Sequence, residues 1–167
     1  MITLKGITKR FPNVTANENV DLEISRGEIH ALVGENGAGK STLMKILTGL
    51  YQPDSGRIMI EGRPVALSGP RDAIRLGIGM VHQHFMLIPR FTVLENVILG
   101  GEPSAGGIID FREARKKIQG LCEDYGFVVN PDSAVSELSV GQQQRVEIVK
   151  VLYRGAEVLV LDEPTAV

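Results

Sequence analysis

Only one of the 167 residues is a cysteine, no apolar run approaches a membrane-spanning length, and neither sign of charge predominates. Each shortage excludes something. With Cys122 alone, no internal disulfide and no zinc cluster built from cysteines can form. Its place four residues after Ile118 on an expected helix predicts a buried thiol, which suits a reducing compartment. A bilayer-spanning helix takes about 20 apolar residues. None is present, and no N-terminal stretch resembles a signal peptide, so the chain is expected in the cytosol. Lys and Arg number 18 against 20 Asp and Glu, and the basic residues are scattered, which argues against a nucleic-acid groove or a membrane-binding basic face. There is no internal repeat and no long coiled-coil insertion. With 43% apolar and 23% charged residues, the composition is that of an ordinary globular domain with a proper core.

What the chain does have is glycine, and three of its 19 glycines fall in one short stretch. Gly34-Glu35-Asn36-Gly37-Ala38-Gly39-Lys40-Ser41-Thr42 fits the phosphate-loop pattern. Glycines at 34, 37 and 39 let backbone N–H groups close around phosphate oxygens with no Cβ in the way. Lys40 supplies a flexible charge for the β and γ phosphates. The Ser41 hydroxyl is placed to ligate the Mg2+ that accompanies ATP, and a helix beginning near Gly39 turns its N-terminus to the same anion. The flanks agree with this reading. Glu28-Ile29-His30-Ala31-Leu32-Val33 predicts a strand, and Leu43, Ile46, Leu47 and Leu50 predict the buried face of the helix that follows.

Alternation of Ile2 with Leu4, and of Val20, Leu22 and Ile24, predicts antiparallel strands with one solvated face, joined through a Phe11-Pro12-Asn13 turn. Arg57–Gly62 predicts another strand. Ser68-Gly69-Pro70 opens a short helix ending by Gly77, and Ile78–Val81 is a strand leading to His82-Gln83-His84. Thr92-Val93-Leu94-Glu95 is a capping box, and a glycine-rich loop runs from 100 to 107. Asp110 caps a helix carrying Phe111, Ala114, Ile118, Leu121, Cys122 and Tyr125, which Gly126 stops. A third helix starts at Ser139 and runs to Arg154-Gly155. Val158-Leu159-Val160-Leu161 reads as a strand buried on both faces. Asp162 at its carboxyl end can hold the metal's coordinated water. Glu163 can polarise an attacking water as base or positioning group, the alternative being a carboxylate that faces solvent.

Leu138-Ser139-Val140-Gly141-Gln142, followed by Gln143-Gln144-Arg145, is a second helix start suited to an anion, with Ser139 as cap and open N–H groups around Gly141. Together with the phosphate loop and the Asp162 strand, it makes the chain resemble the ATPase domain of an ATP-binding-cassette protein, with Val140 where the family's signature has its first glycine. The resemblance covers the whole chain. It implies an α/β fold, a P-loop NTPase core with an antiparallel β edge subdomain and a helical insertion. Residues 1–84 and 151–167 would form the core, and about 85–150 the helical subdomain that docks on a transporter's membrane subunits. It implies that Gln83 touches the metal and reports nucleotide state, and that Phe11 stacks on adenine, although Phe11 could instead pack on a strand. Ser139, Gly141 and Gln142 would face the γ-phosphate held by a second cassette in a head-to-tail dimer. His82 and His84, with no third ligand nearby, read as packing or hydrogen-bonding residues.

Val140 and Met80–Leu87 further resemble the ATPases of sugar and nucleoside importers, of which this chain looks like the first of two fused cassettes. Transmembrane permease subunits, a solute-binding protein acting indirectly, and a position on the inner face of the cell membrane follow from that resemblance. The sequence ends at Pro164-Thr165-Ala166-Val167, before the family's next loop and its catalytic histidine. By order along the chain, none of His30, His82 and His84 fits that histidine. The chain therefore reads as a fragment of a longer ATPase. A soluble cassette acting on nucleic acid or ribosomes, and a nucleotide-binding module without turnover, stay open beside the importer.

Overall fold

A computed structural model describes residues 1–105 and 107–163, the side chain of Ala105 excepted. The final loop expected from Pro164 on lies outside the described residues. The chain divides into two compact units, Met1–Leu76 and Gly77–Val167.

In the first unit, β1 (Ile2–Phe11), β2 (Val14–Ile24), β3 (Ser55–Ile60) and β4 (Arg63–Val65) form an antiparallel sheet in the order β2-β1-β3-β4. The expected alternation holds as far as Leu4, but the next buried residue is Ile7, an odd step that would put it on the wrong face. A bulge at Gly6, with φ 63, absorbs the extra residue and returns Ile7 to the core side. Phe11 closes β1 opposite Val14, so it ends a strand rather than sitting within the turn. Glu61 and Gly62 both take positive φ, which the tight β3–β4 hairpin requires.

Helix α1 (Lys40–Leu47) meets β2 and buries Leu43, Ile46 and Leu47. Leu50 does not join them. The helix stops at Thr48, Gly49 follows with φ 73, and Leu50 is left exposed. Helix α2 (Pro70–Arg75) carries Pro70 in its first turn, where no N–H is needed, and Asp72 accepts from the Ser68 N–H at 2.8 Å. The expected strand over Glu28–Val33 is absent. Among the described residues that segment has no ladder partner, and Ile29 is 99% and Val33 91% exposed. An apolar pattern specifies a strand only when a neighbouring strand takes up its backbone groups.

The second unit pairs β5 (Ile78–Val81) in parallel with β8 (Val158–Leu161), beside helices α3 (Val93–Ile98), α4 (Phe111–Tyr125) and α5 (Val140–Tyr153). Between α3 and α4 the glycine-rich loop contains a two-residue hairpin, β6 (Ser104–Ala105) with β7 (Ile108–Ile109), which sequence patterning missed. Val93, Val97, Ala114, Ile118, Val146 and Val149 are fully buried in one helical core, and Cys122 lies in it as expected. The helix ends were legible. Thr92 and Glu95 form the predicted capping box, Asp110 accepts from the Glu113 N–H, and Gly126 ends α4 with φ 67. Phe111 and Tyr125 lie off the buried face and are exposed. Strand β8 is not buried on both faces: Val160 is, but Leu159 and Leu161 are 38% and 43% exposed, because a single paired strand shields it incompletely. Among the described residues no helix is long and apolar enough to cross a membrane.

Candidate functional site

The first unit carries the loop from Gly34 to Thr42, whose residues Gly34, Glu35, Asn36, Gly37 and Ala38 are exposed. Gly37 and Gly39 have φ 84 and 86, a region that a side chain makes costly. Gly39 is excluded from substitution twice over, since a Cβ there would lie 2.1 Å from the Ala16 carbonyl oxygen. Lys40 folds back over the loop, its Nζ donating to the Gly34 oxygen at 2.6 Å and the Glu35 oxygen at 2.8 Å. No side chain caps α1 and no acid occupies its first turn, so its N-terminus is suited to an anion.

Asn17 was not singled out by the sequence. It is 6% exposed, and its Nδ2 donates to the Gly39 oxygen at 3.2 Å, tying β2 to the loop's last glycine. Its buried Oδ1 has no hydrogen-bond partner among the described residues. An amide within a strand pattern was the only signal available. Phe11 meets Tyr51 edge-on with centroids 5.6 Å apart, and Lys9 and Lys45 each sit 5.7 Å from one of the two rings. Tyr51 is a second aromatic that the sequence reading passed over.

In the second unit, Gln83, Asp162 and Glu163 come together. The Asp162 N–H donates to the Val81 oxygen at 3.1 Å, extending the parallel ladder by one residue. Glu163 then turns into the left-handed region at φ 50, and Gln83 Nε2 donates to its Oε2 at 2.7 Å. A small cleft lined by Val81, Phe85, Gln144 and these three residues lies there, with Gln144 contributed by α5. Ser139 starts α5 in a reciprocal box: its N–H donates to Gln142 Oε1 at 2.8 Å, while its Oγ accepts from the Gln142 N–H at 3.4 Å. One N–H expected to be open is thus engaged. Ser139, Val140, Gly141 and Gln142 all remain at the surface, and a Cβ on Gly141 would meet nothing within 4 Å. A second cleft, of about 450 Å³, runs between Gln83–Pro89 and the start of α5, lined by Phe85, Leu87, Val135 and Val140 among others. Met86, at 65% exposed, and Ile88, at 36%, are exposed apolar residues of that loop.

Ser41 in the first unit and Asp162 in the second are each, taken singly, a hard oxygen donor of the kind that Mg2+ accepts from protein. Among the described residues there is no cluster of three His, Cys, Asp or Glu side chains, as a site formed from protein ligands alone would need.

The family model described as ABC transporter matches residues 17–166. The guanosine import ATP-binding protein NupO of Bacillus subtilis (strain 168) is 53% identical over 167 residues, covering 100% of this chain and 33% of its own length. The nucleoside import ATP-binding protein NupA of Lactococcus lactis subsp. cremoris (strain MG1363) is 56% identical, again over 100% of this chain and 33% of its own. The chain therefore spans about a third of the length of the curated relatives it matches. Among solved structures, a dimeric ATP-binding cassette in a post-hydrolysis state with ADP and Pi is similar at TM-score 0.77 and 30% identity, over 99% of this chain and 75% of that one. Since the matched span takes in the phosphate loop, the Gln83 turn, the Ser139 helix start and the Asp162 strand in one order, this chain belongs to the ABC transporter family.

Proposed function

We propose that the chain is the ATP-binding and hydrolysing part of a subunit that powers solute import, with nucleosides or sugars as the cargo. The hydrogen bond from Gln83 to Glu163, beside Asp162 at the carboxyl end of β8, carries this reading. It puts a candidate base, a metal-side carboxylate and an amide in one cleft. The relatives named for guanosine and nucleoside import support the choice of cargo.

In this mechanism, Gly34 to Thr42 wraps the phosphates, and Lys40 leaves its loop carbonyls to neutralise the β and γ oxygens. Phe11 offers its ring to adenine. Ser41, Asp162 and Gln83 are the residues that would hold Mg2+, and the chemistry it would supply when bound is neutralisation of phosphate charge. Glu163 orients water and accepts its proton, with Gln83 holding the carboxylate in place. Ser139, Gly141 and Gln142 face the γ-phosphate of a partner cassette bound head to tail. Residues 85–150 form the helical subdomain that meets transmembrane permease subunits at the inner face of the membrane, with a solute-binding protein acting through them. Phosphoryl transfer depends on positioning and charge stabilisation, so a chain holding only part of the site should bind better than it turns over.

Thermal shift with millimolar MgATP tests the binding. At 100 times its dissociation constant a ligand adds about 2.7 kcal/mol of apparent stability. Lys40→Ala should shrink that shift. Phosphate release by the full-length protein tests the chemistry: Glu163→Gln should cost about 100- to 1,000-fold in rate and leave the shift intact. A folded chain with no shift would defeat the proposal.

A further inference from the structure

Two charged residues of α5 are spent on the backbone of a loop residue that the reaction does not name. Glu147 and Lys150 are one turn apart, and their side chains are 7% and 13% exposed. They stand 4.0 Å from each other, outside hydrogen-bond reach. Their hydrogen bonds go to Met86. Its N–H donates to Glu147 Oε1 at 2.5 Å, and its carbonyl accepts from Lys150 Nζ at 3.1 Å. Two residues on, Asn96 of α3, fully buried, repeats the arrangement: its Oδ1 accepts from the Ile88 N–H at 2.7 Å and its Nδ2 donates to the Ile88 oxygen at 3.0 Å. The loop after Gln83 thus has both polar groups of two backbone residues held by helix side chains, while the Met86 side chain stays largely in solvent. Burying a charged pair is costly, and apolar residues of similar size often serve stability as well. What the pair adds is a fixed address for the loop.

We propose that Glu147 and Lys150 are positioning residues that clamp the loop following Gln83 to the helix begun by Ser139. Gln83 then meets Glu163 only where α5 sets it, and a movement of α5 is passed to that contact. The kinetic part of this rests on the ATPase reading; the clamp itself does not.

The test has two arms. Amide hydrogen exchange compares the chain with its Glu147→Leu and Lys150→Met variants. The Met86 amide should exchange about tenfold faster or more in Glu147→Leu, while the Ile88 amide and the α4 core keep their protection. In the full-length protein, both variants should lower kcat for ATP by up to about 100-fold with KM unchanged. Glu147→Gln and Lys150→Arg, which keep an acceptor and a donor, should restore most of it. Should Glu147→Leu fail to fold, Lys150→Met and the two conservative variants carry the same comparison. Unchanged Met86 exchange, or a lower Tm with undiminished kcat, overturns the clamp. A wild-type protein without turnover defeats the ATPase reading instead, and the exchange arm then decides alone.

Discussion

Gly39 concentrates the demands that the phosphate loop makes on single residues. It must turn at φ 86, leave room for the Ala16 carbonyl, and accept from Asn17. Gly39→Ala should therefore lower Tm and abolish the MgATP shift. The φ alone costs about 1–2 kcal/mol, and the 2.1 Å approach to backbone adds to that. Calorimetry with and without nucleotide measures both effects. Gly37→Ala makes the control for the nucleotide-free Tm alone, because among the described residues nothing lies within 4 Å of a Cβ there and the backbone penalty is what remains. The glycines were legible because a phosphate loop is a local code. Asn17, Asn96 and Glu147 were not, because a polar residue in an apolar pattern declares its burial only once its partner arrives from elsewhere in the chain.

Among the elements, helices were easier to place than strands for the same reason. The boxes at Thr92-Glu95 and Ser139-Gln142 and the stop at Gly126 bond within a few residues of themselves. Glu28–Val33 and β8 depended on neighbours, and there the pattern overstated the ladder in one case and the burial in the other. Asn96 serves two elements at once, capping Ile88 and also donating to the Thr92 oxygen at 3.0 Å. Asn96→Leu should leave the Ile88 groups unpaired and cost about 3 kcal/mol, read from urea midpoints. At the start of α4, Arg115 grips Asp132 through two bonds of 2.8 and 2.7 Å. This hydrogen bonding holds the Asp132 carboxyl below its usual range. Its contribution is thus complete above about pH 4 and is lost as pH falls through the lower, folded value. Both groups are exposed, so the effect is small and salt weakens it. The Tm difference between wild type and Asp132→Asn should stay constant above about pH 4 and close as pH falls below it. A difference that grows on acidification would contradict that sign.

At the scale of the second unit, β5 and β8 are the two strands of their sheet among the described residues, which leaves edges and the exposed Leu159 and Leu161. An exposed apolar edge invites pairing with another chain. Sedimentation of the chain should show association that rises with concentration, and Leu159→Glu should reduce it. Cys122 has a different use. As the sole thiol, set within the helical core with its pKa pushed up by burial, it is slow to ionise and shut away from reagents. A disulfide reagent added to the native protein can then react only during excursions that part α4 from α3 and α5. Its colour development becomes a stopwatch for the opening of that core, blind to any fraying of the phosphate loop.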